Sequence, residues 1–420
     1  MKKLILGIGI LSATLIFGKT IEITPKNAYQ IKKLLKNAKP GDEIVFEDGI
    51  YKRIPKIKIS GNKANPIVIR GGEKTLIKNP VFIKGDYLII KNLYIKGNAD
   101  KINYNQVIKE WWNSSNEIKK SGLYIEGRHV LVKDNVICNF PGSGLRIIKK
   151  SDYVTVKHNI VCNNAWWSTG GTGGLIVRNI IQSDNSKKDK IKILNNLIFS
   201  NESRIISHVY QKGFTKMVID EGEGLLIQQK SDKDTIKNGH YNGGFLVKNN
   251  LLLYNGKAIS INKANNVKII KNTLYKNGTT VTGKAGSIVL NTTKNDIIRN
   301  NLIVPSKGKD AIRKFLAKNI IEKNNLISYE DRNIDLSSFE DMLRKYNLKV
   351  KPTNYKVNLK KQILDILKNI PKTDKTSFEL EGNRLNIYNI DNKKIKALPK
   401  NYMLIIPKEY IKDVKAYLKL

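Results

Sequence analysis

The residues best suited to bind a cation lie in one short acidic stretch. It contains Asp220, Glu221 and Glu223, with Gly222 and Gly224 beside them. In an extended backbone, Glu221 and Glu223 point to the same side. Ca²⁺ takes several carboxylate and carbonyl oxygens as ligands. The stretch therefore predicts a calcium site formed by the three carboxylates, or a polar turn that opens a strand.

His208 and Tyr210 could carry out proton transfer. They are two residues apart, so both side chains lie on one face if the segment is extended. An imidazole and a phenol placed in this way can act as a general acid and base. The alternative is that His208 is an ordinary turn residue.

The four tryptophans occur as two adjacent pairs, Trp111-Trp112 and Trp166-Trp167. Flat aromatic rings suit the apolar faces of sugars, so we expect the two pairs to line one substrate-binding groove. The alternative is that the loops pack on one another and bury the rings.

A repeated phrase, apolar-x-apolar-basic-polar-Asn-x-apolar, must position these residues. Its last asparagines are Asn135, Asn159, Asn196, Asn250, Asn272, Asn301 and Asn325. The steps between them are 24, 37, 54, 22, 29 and 24 residues. A base period of about 22–24 residues with short β-runs is too short for helical repeats or propeller blades. It predicts an all-β fold, a right-handed parallel β-helix, with insertions where the steps are long.

The asparagine column is predicted to be structural. Equivalent strands stack at about 4.7–4.9 Å, so identical side chains form ladders. Stacked amides can bond one another, and asparagine tolerates the left-handed backbone of a turn.

Three segments surround the expected β-helix of residues 39–334. Residues 1–18 resemble a secretory signal, with Lys2 and Lys3 before an apolar stretch that is shorter than the roughly 20 residues of a membrane span. Residues 19–38 are predicted to hold an amphipathic cap helix over 24–37, with Thr24 as N-cap. Residues 335–420 are expected to form a C-terminal cap or a small α+β module that closes the second end.

The export signal and the charge together suggest the partner. We expect a secreted or periplasmic protein, a monomer with no transmembrane span in the mature chain; an uncleaved N-terminal anchor is the alternative. The formal net charge of +39 attracts polyanions. Export disfavours nucleic acid, and no nucleic-acid-binding motif is present. An acidic polysaccharide is therefore the expected partner, and a general compositional bias toward lysine is the alternative.

The two cysteines, Cys138 and Cys162, fall in the same slot of consecutive coils, each three residues after a repeated asparagine. One rung of separation lies within the range that a disulfide needs. An oxidised pair and a reduced ladder of small side chains both fit this spacing.

Two motifs resemble known secreted β-helix proteins. The stretch from Lys39 to Tyr51 is similar to the opening of such proteins, including polysaccharide lyases related to chondroitinase B and alginate lyase. Glu221-Gly222-Glu223-Gly224 resembles the Asp-Gly-Asn-Gly of a widespread β-helix group, although Gln228 replaces that group's terminal acidic residue.

The acidic stretch is also similar to the site of chondroitinase B-type lyases. Those enzymes carry a Glu-x-Glu pair that binds calcium, a Lys-Ser whose lysine is the base, and an arginine on the next coil. Here Lys230-Ser231 follows Glu223 at a longer spacing, and the arginine slot falls near Asn262 with Lys263 beside it. The resemblance implies Lys230 as catalytic base and Lys263 as a substrate contact.

The implied function is a lyase that acts by β-elimination at a uronic acid. A lysine can serve as the base only if neighbouring positive charge lowers its pKa, and Lys230 lies in a very basic chain. The alternative is a non-catalytic glycan-binding or cell-surface protein. A β-helix hydrolase or epimerase is a third class, but neither an Asp-Asp pair nor an Asp-Pro-His-Asp stretch is present in the sequence.

Overall fold

The structure is a computed structural model, and it describes residues 18–112, 120–207, 209–211, 214–229, 241–330, 337–348, 350, 358–391 and 401–420. The predicted signal segment, apart from Gly18, lies outside the described residues. Lys230 and His208 also lie outside them.

Three long parallel sheets form the body of the molecule, and each strand pairs with the equivalent strand of the next coil. In the described residues, sheet 1 has eleven strands: Thr20–Ile23, Glu43–Phe46, Ile67–Gly71, Leu88–Lys91, Arg128–Lys133, Asp152–Lys157, Asp189–Leu194, Gly244–Lys248, Val267–Ile270, Ile297–Arg299 and Ile321–Lys323. Sheet 2 has nine in the same residues: Ile57–Lys58, Val81–Lys84, Leu123–Glu126, Leu145–Ile148, Gly173–Arg178, Glu223–Gln228, Lys257–Asn262, Ala285–Asn291 and Asp310–Phe315. Sheet 3 likewise has ten: Gly49–Tyr51, Thr75–Ile77, Tyr94–Lys96, Val136–Cys138, Ile160–Cys162, Leu197–Phe199, Leu251–Leu253, Thr273–Asn277, Leu302–Pro305 and Leu326–Ile327. The predicted parallel β-helix is confirmed.

Aliphatic side chains of alternate residues fill the interior. Val130 and Val132 of one coil are buried and pair with Val154 and Val156 of the next. Burying one such side chain stabilises the fold by about 1.5–3 kcal/mol. The interior ladders therefore explain why the apolar-x-apolar phrase recurs.

The repeated asparagines form a continuous buried hydrogen-bonded ladder. From Asn135 to Asn325 each side-chain Nδ2 donates to the Oδ1 of the next asparagine at 2.9–3.0 Å. The left-handed backbone lies one position earlier than predicted, for example at His158 and Asn195 with φ of 55° and 53°. Each ladder asparagine can thus point inward because its predecessor makes the turn.

A second asparagine ladder lies five residues after the first. Asn164, Asn201, Asn255 and Asn277 bond side chain to side chain at 2.9, 3.0 and 2.9 Å. This column marks the corner where sheet 3 leads toward sheet 2, so it positions the residues that precede the sheet 2 strands.

The N-terminal cap differs in part from the prediction. Residues Thr20–Ile23 form the first strand of sheet 1, and the helical part is limited to a 3₁₀ turn at Ala28–Gln30 followed by Ile31–Leu34. Thr24 accepts from the backbone of Asn27 in a turn and does not cap a long helix. The apolar face is nevertheless placed as predicted, because Ala28 and Ile31 are buried in the core.

Cys138 and Cys162 pair across one rung of sheet 3 and form a disulfide. Of the two alternatives that the spacing allowed, the structure has the oxidised pair.

The described helices are α1, Ile31–Leu34; α2, Tyr104–Lys109; α3, Ser337–Lys345; α4, Leu359–Lys368; and α5, Ile411–Leu418. Further 3₁₀ turns are Ala99–Lys101 and Lys408–Tyr410. Sheet 4 contains Val209–Gln211, Phe214–Lys216, Tyr402–Ile405, Arg384–Tyr388 and Ser377–Glu381 in that order. None of the helices in the described part of the chain has both the length and the apolar character that a membrane span requires.

The C-terminal tail packs along the side of the β-helix. Phe339 of α3 contacts Phe199 of sheet 3, with ring centroids 5.2 Å apart. The strands Val209–Gln211 and Phe214–Lys216, which lie in the long step between Asn196 and Asn250, complete sheet 4, where Thr215 pairs with Leu404. Leu316 near the second end is 80% exposed, and closure of that end by the tail stays a prediction. The described tail is therefore a side-packed α+β module.

Candidate functional site

The acidic stretch folds around a buried lysine. Glu223 opens a strand of sheet 2, and its backbone pairs in parallel with Lys257 of the next coil. The Lys257 Nζ lies 2.8 Å from Glu223 Oε1 and 3.2 Å from Asp220 Oδ1, and it donates to the Asp220 carbonyl oxygen at 2.6 Å. The side chains of Lys257 and Glu223 are 6% and 5% exposed. Sequence reasoning missed Lys257, which lies 34 residues after Glu223 and is brought opposite it only by the strand pairing.

Glycines set the backbone of this cluster. Gly222 has a φ of +92°, and a Cβ there would lie 2.2 Å from the backbone nitrogen of Ser203. A Cβ on Gly224 would lie 2.8 Å from the side-chain amide of Asn255 in the second ladder. The alternating glycines are therefore needed for close packing against the neighbouring coils.

Electrostatics hold the lysine in its charged form. Burial alone lowers the pKa of Lys257, but Glu223, Asp220 and Glu221 together raise that pKa above its ordinary value. Burial, together with the charge of Glu223, raises the pKa of Glu221. Glu221 also accepts a hydrogen bond from the backbone N–H of Thr172 at 3.1 Å.

These residues do not fit a calcium ion. Ca²⁺ takes six to eight oxygens, whereas the oxygens that converge here come from two residues and already bind an ammonium. In the described part of the chain, no group of three or more His, Cys, Asp or Glu residues could hold a metal ion. Of the three side chains predicted to bind calcium, those of Asp220 and Glu223 bind Lys257 instead, and Glu221 accepts from the Thr172 N–H.

The tryptophans are buried, so the prediction that they contact sugar is corrected. Trp111, Trp112, Trp166 and Trp167 are 0%, 2%, 2% and 6% exposed. They lie in one cluster with apolar residues of the tail. The Arg204 guanidinium lies over Trp166, 3.6 Å from the ring centroid. Packing between loops, the alternative for these pairs, is what the structure shows.

Two arginines lie close together on the outer face of sheet 2, the face whose side chains point away from the interior. Arg146 pairs with Ile176, and Arg178 pairs with Ile148, so the arginines are diagonal neighbours. Such neighbours have backbones about 7–8 Å apart. Burial lowers the pKa of Arg146 and Arg178 lowers it further, while Tyr124 and Glu221 oppose this effect. Both arginines were missed by sequence reasoning.

A row of amides continues from Arg178 along the same face. Arg178, Gln228, Asn262 and Asn291 are successive partners in the strand pairing. The Oε1 of Gln228 and the Oδ1 of Asn262 are buried and have no hydrogen-bond partner among the described residues. Unused acceptors of this kind beside an arginine pair suit a ligand that carries hydroxyl groups.

The other predicted site residues are only partly described. Tyr210 lies in the strand Val209–Gln211 of sheet 4, and its side chain is outside the described part of the chain. Lys263 is exposed and follows the strand Lys257–Asn262. It lies roughly 20 Å along the strand from Lys257, so the structure does not bring it to the acidic cluster. Lys230 and His208 stay predictions.

The fold agrees with a comparison against protein families. The model of the chondroitinase B family matches residues 25–336. The chain belongs to the chondroitinase B family. The matched range contains most of the described coils, the Lys257 cluster and the arginine pair, whereas the side-packed module lies beyond it. No curated protein gives a significant match.

Solved structures similar to this family member are β-helix proteins of low sequence identity. An alginate lyase from a Paenibacillus species is 15% identical and has a TM-score of 0.39, with 71% of this chain and 99% of that chain covered. A pectate lyase is 14% identical and has a TM-score of 0.37, with 76% and 79% covered. A mannuronan C-5 epimerase module from Azotobacter vinelandii is 12% identical, with 73% and 92% covered and a TM-score of 0.34.

Proposed function

We propose that this chondroitinase B family member is an exported lyase that cleaves an acidic polysaccharide by β-elimination at a uronic acid. The family match over residues 25–336 and the net charge of +39 support a polyanionic substrate. The observation that carries the proposal is the pair Arg146 and Arg178 on the outer face of sheet 2. Guanidinium groups bind carboxylates through charge-assisted, bidentate hydrogen bonds.

The arginine pair would stabilise the charge that develops during elimination. A base removes the proton at C5 of the uronate, and the C–H electron pair becomes the C4–C5 double bond. The bond from C4 to the glycosidic oxygen breaks, and that oxygen takes up a proton. Negative charge builds on the carboxylate in the transition state, where fixed positive groups contribute most.

Proton transfer is assigned to residues proposed from the sequence. Lys230 is the proposed base, because the resemblance to chondroitinase B-type lyases implies it. His208 and Tyr210 are the alternative acid–base pair, and Lys263 is a proposed substrate contact. The replacement of Lys230 by methionine should abolish product formation and leave polysaccharide binding in place if this assignment is right.

The second candidate function is a non-catalytic glycan-binding protein, and the amide row favours it. Gln228 and Asn262 occupy adjacent rungs beside Arg178, and neither side chain titrates. A face of amides and arginines can bind an acidic polymer without transferring a proton.

Ultraviolet absorbance of the unsaturated uronate tests the proposal. The wild-type protein is supplied with polygalacturonate, alginate and glycosaminoglycans, and binding to each polymer is measured in parallel. We expect absorbance to rise with at least one polymer. Binding to a polymer with no absorbance change across the whole panel would favour the non-catalytic candidate.

Substitution of the arginines tests the surface. The double variant Arg146→Met/Arg178→Met should lose at least about 100-fold in rate, because both carboxylate partners are removed. Arg313→Met is the matched control, since Arg313 lies on the same face of sheet 2, four rungs from Arg178 and five from Arg146, which is about 19 and 24 Å along the rod. Equal losses in the double variant and the control would show that only the general positive charge matters.

A further inference from the structure

Lys257 uses every hydrogen-bonding proton that its side chain offers. An ammonium has three N–H donors. The three oxygens within reach are Glu223 Oε1 at 2.8 Å, Asp220 Oδ1 at 3.2 Å and the Asp220 carbonyl oxygen at 2.6 Å. All three N–H donors of the ammonium are therefore used inside the cluster, and the ammonium lies at the point where these oxygens converge.

The backbone fixes this arrangement. Glu223 and Lys257 are direct partners in sheet 2, and the neighbouring pairs Leu225 with Ile259 and Ile227 with Ile261 continue the register into the core. The glycine turn at Gly222 brings Asp220 to the same point. Lys257 cannot move away without leaving its charge or that of Glu223 buried and unpaired, which is strongly unfavourable.

The same oxygens are the kind that a hard divalent cation prefers. Carboxylate and backbone carbonyl oxygens are the usual ligands of Ca²⁺. A metal ion bound to the same oxygens would lie at the position that the Lys257 ammonium occupies. Two positive charges cannot occupy that position together. Occupancy by Lys257 and occupancy by a metal ion are therefore mutually exclusive.

We propose that Lys257 is a built-in substitute for a bound divalent cation, so that the cluster of Asp220, Glu221 and Glu223 binds no metal ion while Lys257 is present. The inference concerns the charge balance of the cluster and holds whether or not the protein is a lyase. It differs from what the resemblance to chondroitinase B-type lyases implied for these carboxylates. The protein should fold and keep its stability in the presence of a chelator.

Two measurements on the wild-type protein test the first half of the proposal. Thermal unfolding is recorded with excess Ca²⁺ and with EDTA, and Tb³⁺ luminescence reports binding of a calcium analogue. We expect the same melting temperature in both conditions and no saturable Tb³⁺ signal from the cluster. A Ca²⁺-dependent rise in melting temperature that Glu223→Gln removes would overturn the proposal.

The variant Lys257→Met tests the second half. It keeps the length of the side chain and removes its charge, so in EDTA its melting temperature should fall by roughly 5–10 °C. Added Ca²⁺ should recover much of that loss, because the freed oxygens can then bind the ion. If Lys257→Met folds only when Ca²⁺ is present, the proposal is supported in the same way.

Lys268→Met is the matched control. Lys268 pairs with Asp189 at 3.0 Å, but its side chain is 40% exposed. The same substitution there should change the melting temperature little and should create no response to Ca²⁺. A Lys257→Met protein that responds to Ca²⁺ no more than the wild type or this control would overturn the proposal.

Discussion

A single buried carboxyl group, Asp296, illustrates how this β-helix accommodates an ionisable side chain that has no charged partner in the described part of the chain. Its Oδ1 accepts from the backbone N–H of Val267 at 2.9 Å, and its Oδ2 lies 2.5 Å from the hydroxyl of Thr293. That hydroxyl also contacts the carbonyl oxygen of Ala264. A hydroxyl has only one proton to donate, so both contacts are satisfied when Asp296 is protonated and donates to Thr293.

Burial accordingly raises the pKa of Asp296 from 3.8 to about 6. Between these two values the folded state binds the proton and the unfolded state does not, so stability falls as the pH rises. The free energy of unfolding should drop by about 2–3 kcal/mol from this group as the pH rises from about 4 to about 7. Denaturant titrations across that range would measure the drop.

Asp296→Asn separates this effect from other titrations. The amide imitates the protonated acid, since it donates to Thr293 and accepts from Val267, but it does not titrate. We expect this variant to lack the decline and to be more stable than the wild type at pH 7. Asp310→Asn, which alters a partly exposed carboxylate beside Arg313, is the control. Parallel pH profiles for the wild type and Asp296→Asn would rule the explanation out.

At the scale of elements, an asparagine in the middle of the ladder should contribute more to the free energy of unfolding than the last asparagine does. Asn196 accepts from the backbone and side chain of Asn159 and donates to the Val156 carbonyl and to Asn250. Asn325 ends the ladder: it accepts from Asn301 and donates to the Ile298 carbonyl. Replacement by alanine leaves these buried groups without partners, at about 1–3 kcal/mol for each unsatisfied group.

We therefore expect Asn196→Ala to lower the free energy of unfolding by about 3 kcal/mol and Asn325→Ala by about 1 kcal/mol. Denaturant unfolding followed by circular dichroism would measure both. The two substitutions remove the same atoms, so their difference reports the bonds that Asn196 makes to both neighbouring coils together with its deeper burial, since Asn196 is 2% exposed and Asn325 is partly exposed. Equal losses would mean that the bonds between coils contribute nothing beyond local turn geometry.

The period of the sequence is sufficient to predict this element because every coil repeats the same physical requirement. Val, Ile and Leu at alternate positions fill the interior, and an inward asparagine satisfies the backbone at each turn. The second ladder escaped prediction although it lies at a constant offset of five residues. The column of the second ladder begins at Phe140, whose side chain has no amide group. The backbone N–H of Phe140 donates to Asn164 instead. The repeated phrase accordingly contains only the first ladder.

Features that occur once could not be predicted in the same way. Arg146 and Arg178 become neighbours only because a coil of 30 residues separates their strands by one rung. Trp112 donates to the carbonyl oxygen of Ile366, 254 residues later in the chain. Periodicity carries no information about such contacts, so exposed loops and an end cap were the simpler expectation. The acidic stretch is visible in the sequence, but its partner Lys257 is one lysine among many.

At the scale of the whole molecule, the side-packed module depends on a few specific contacts with the insertions. Gln362 of α4 is 2% exposed. Both the nitrogen and the oxygen of its side-chain amide bond to the backbone of the insertion. Its Nε2 donates to the Arg204 carbonyl oxygen at 2.8 Å, and its Oε1 accepts from the Ile206 N–H at 3.0 Å. Methionine at this position would fill the space but leave both backbone groups unpaired.

Gln362→Met should therefore weaken the docking of the module by about 2–4 kcal/mol while the β-helix itself stays folded. Release of α4 would expose Trp112, so tryptophan emission should move to longer wavelengths, and trypsin should remove the tail faster than from the wild type. Lys368→Met, on the exposed side of the same helix, should leave both readouts unchanged. The contrary outcome is that the Gln362→Met β-helix and module unfold in a single transition at lower stability, with no earlier change in emission. The two would then form one cooperative unit, and the tail would be an integral part of the β-helix.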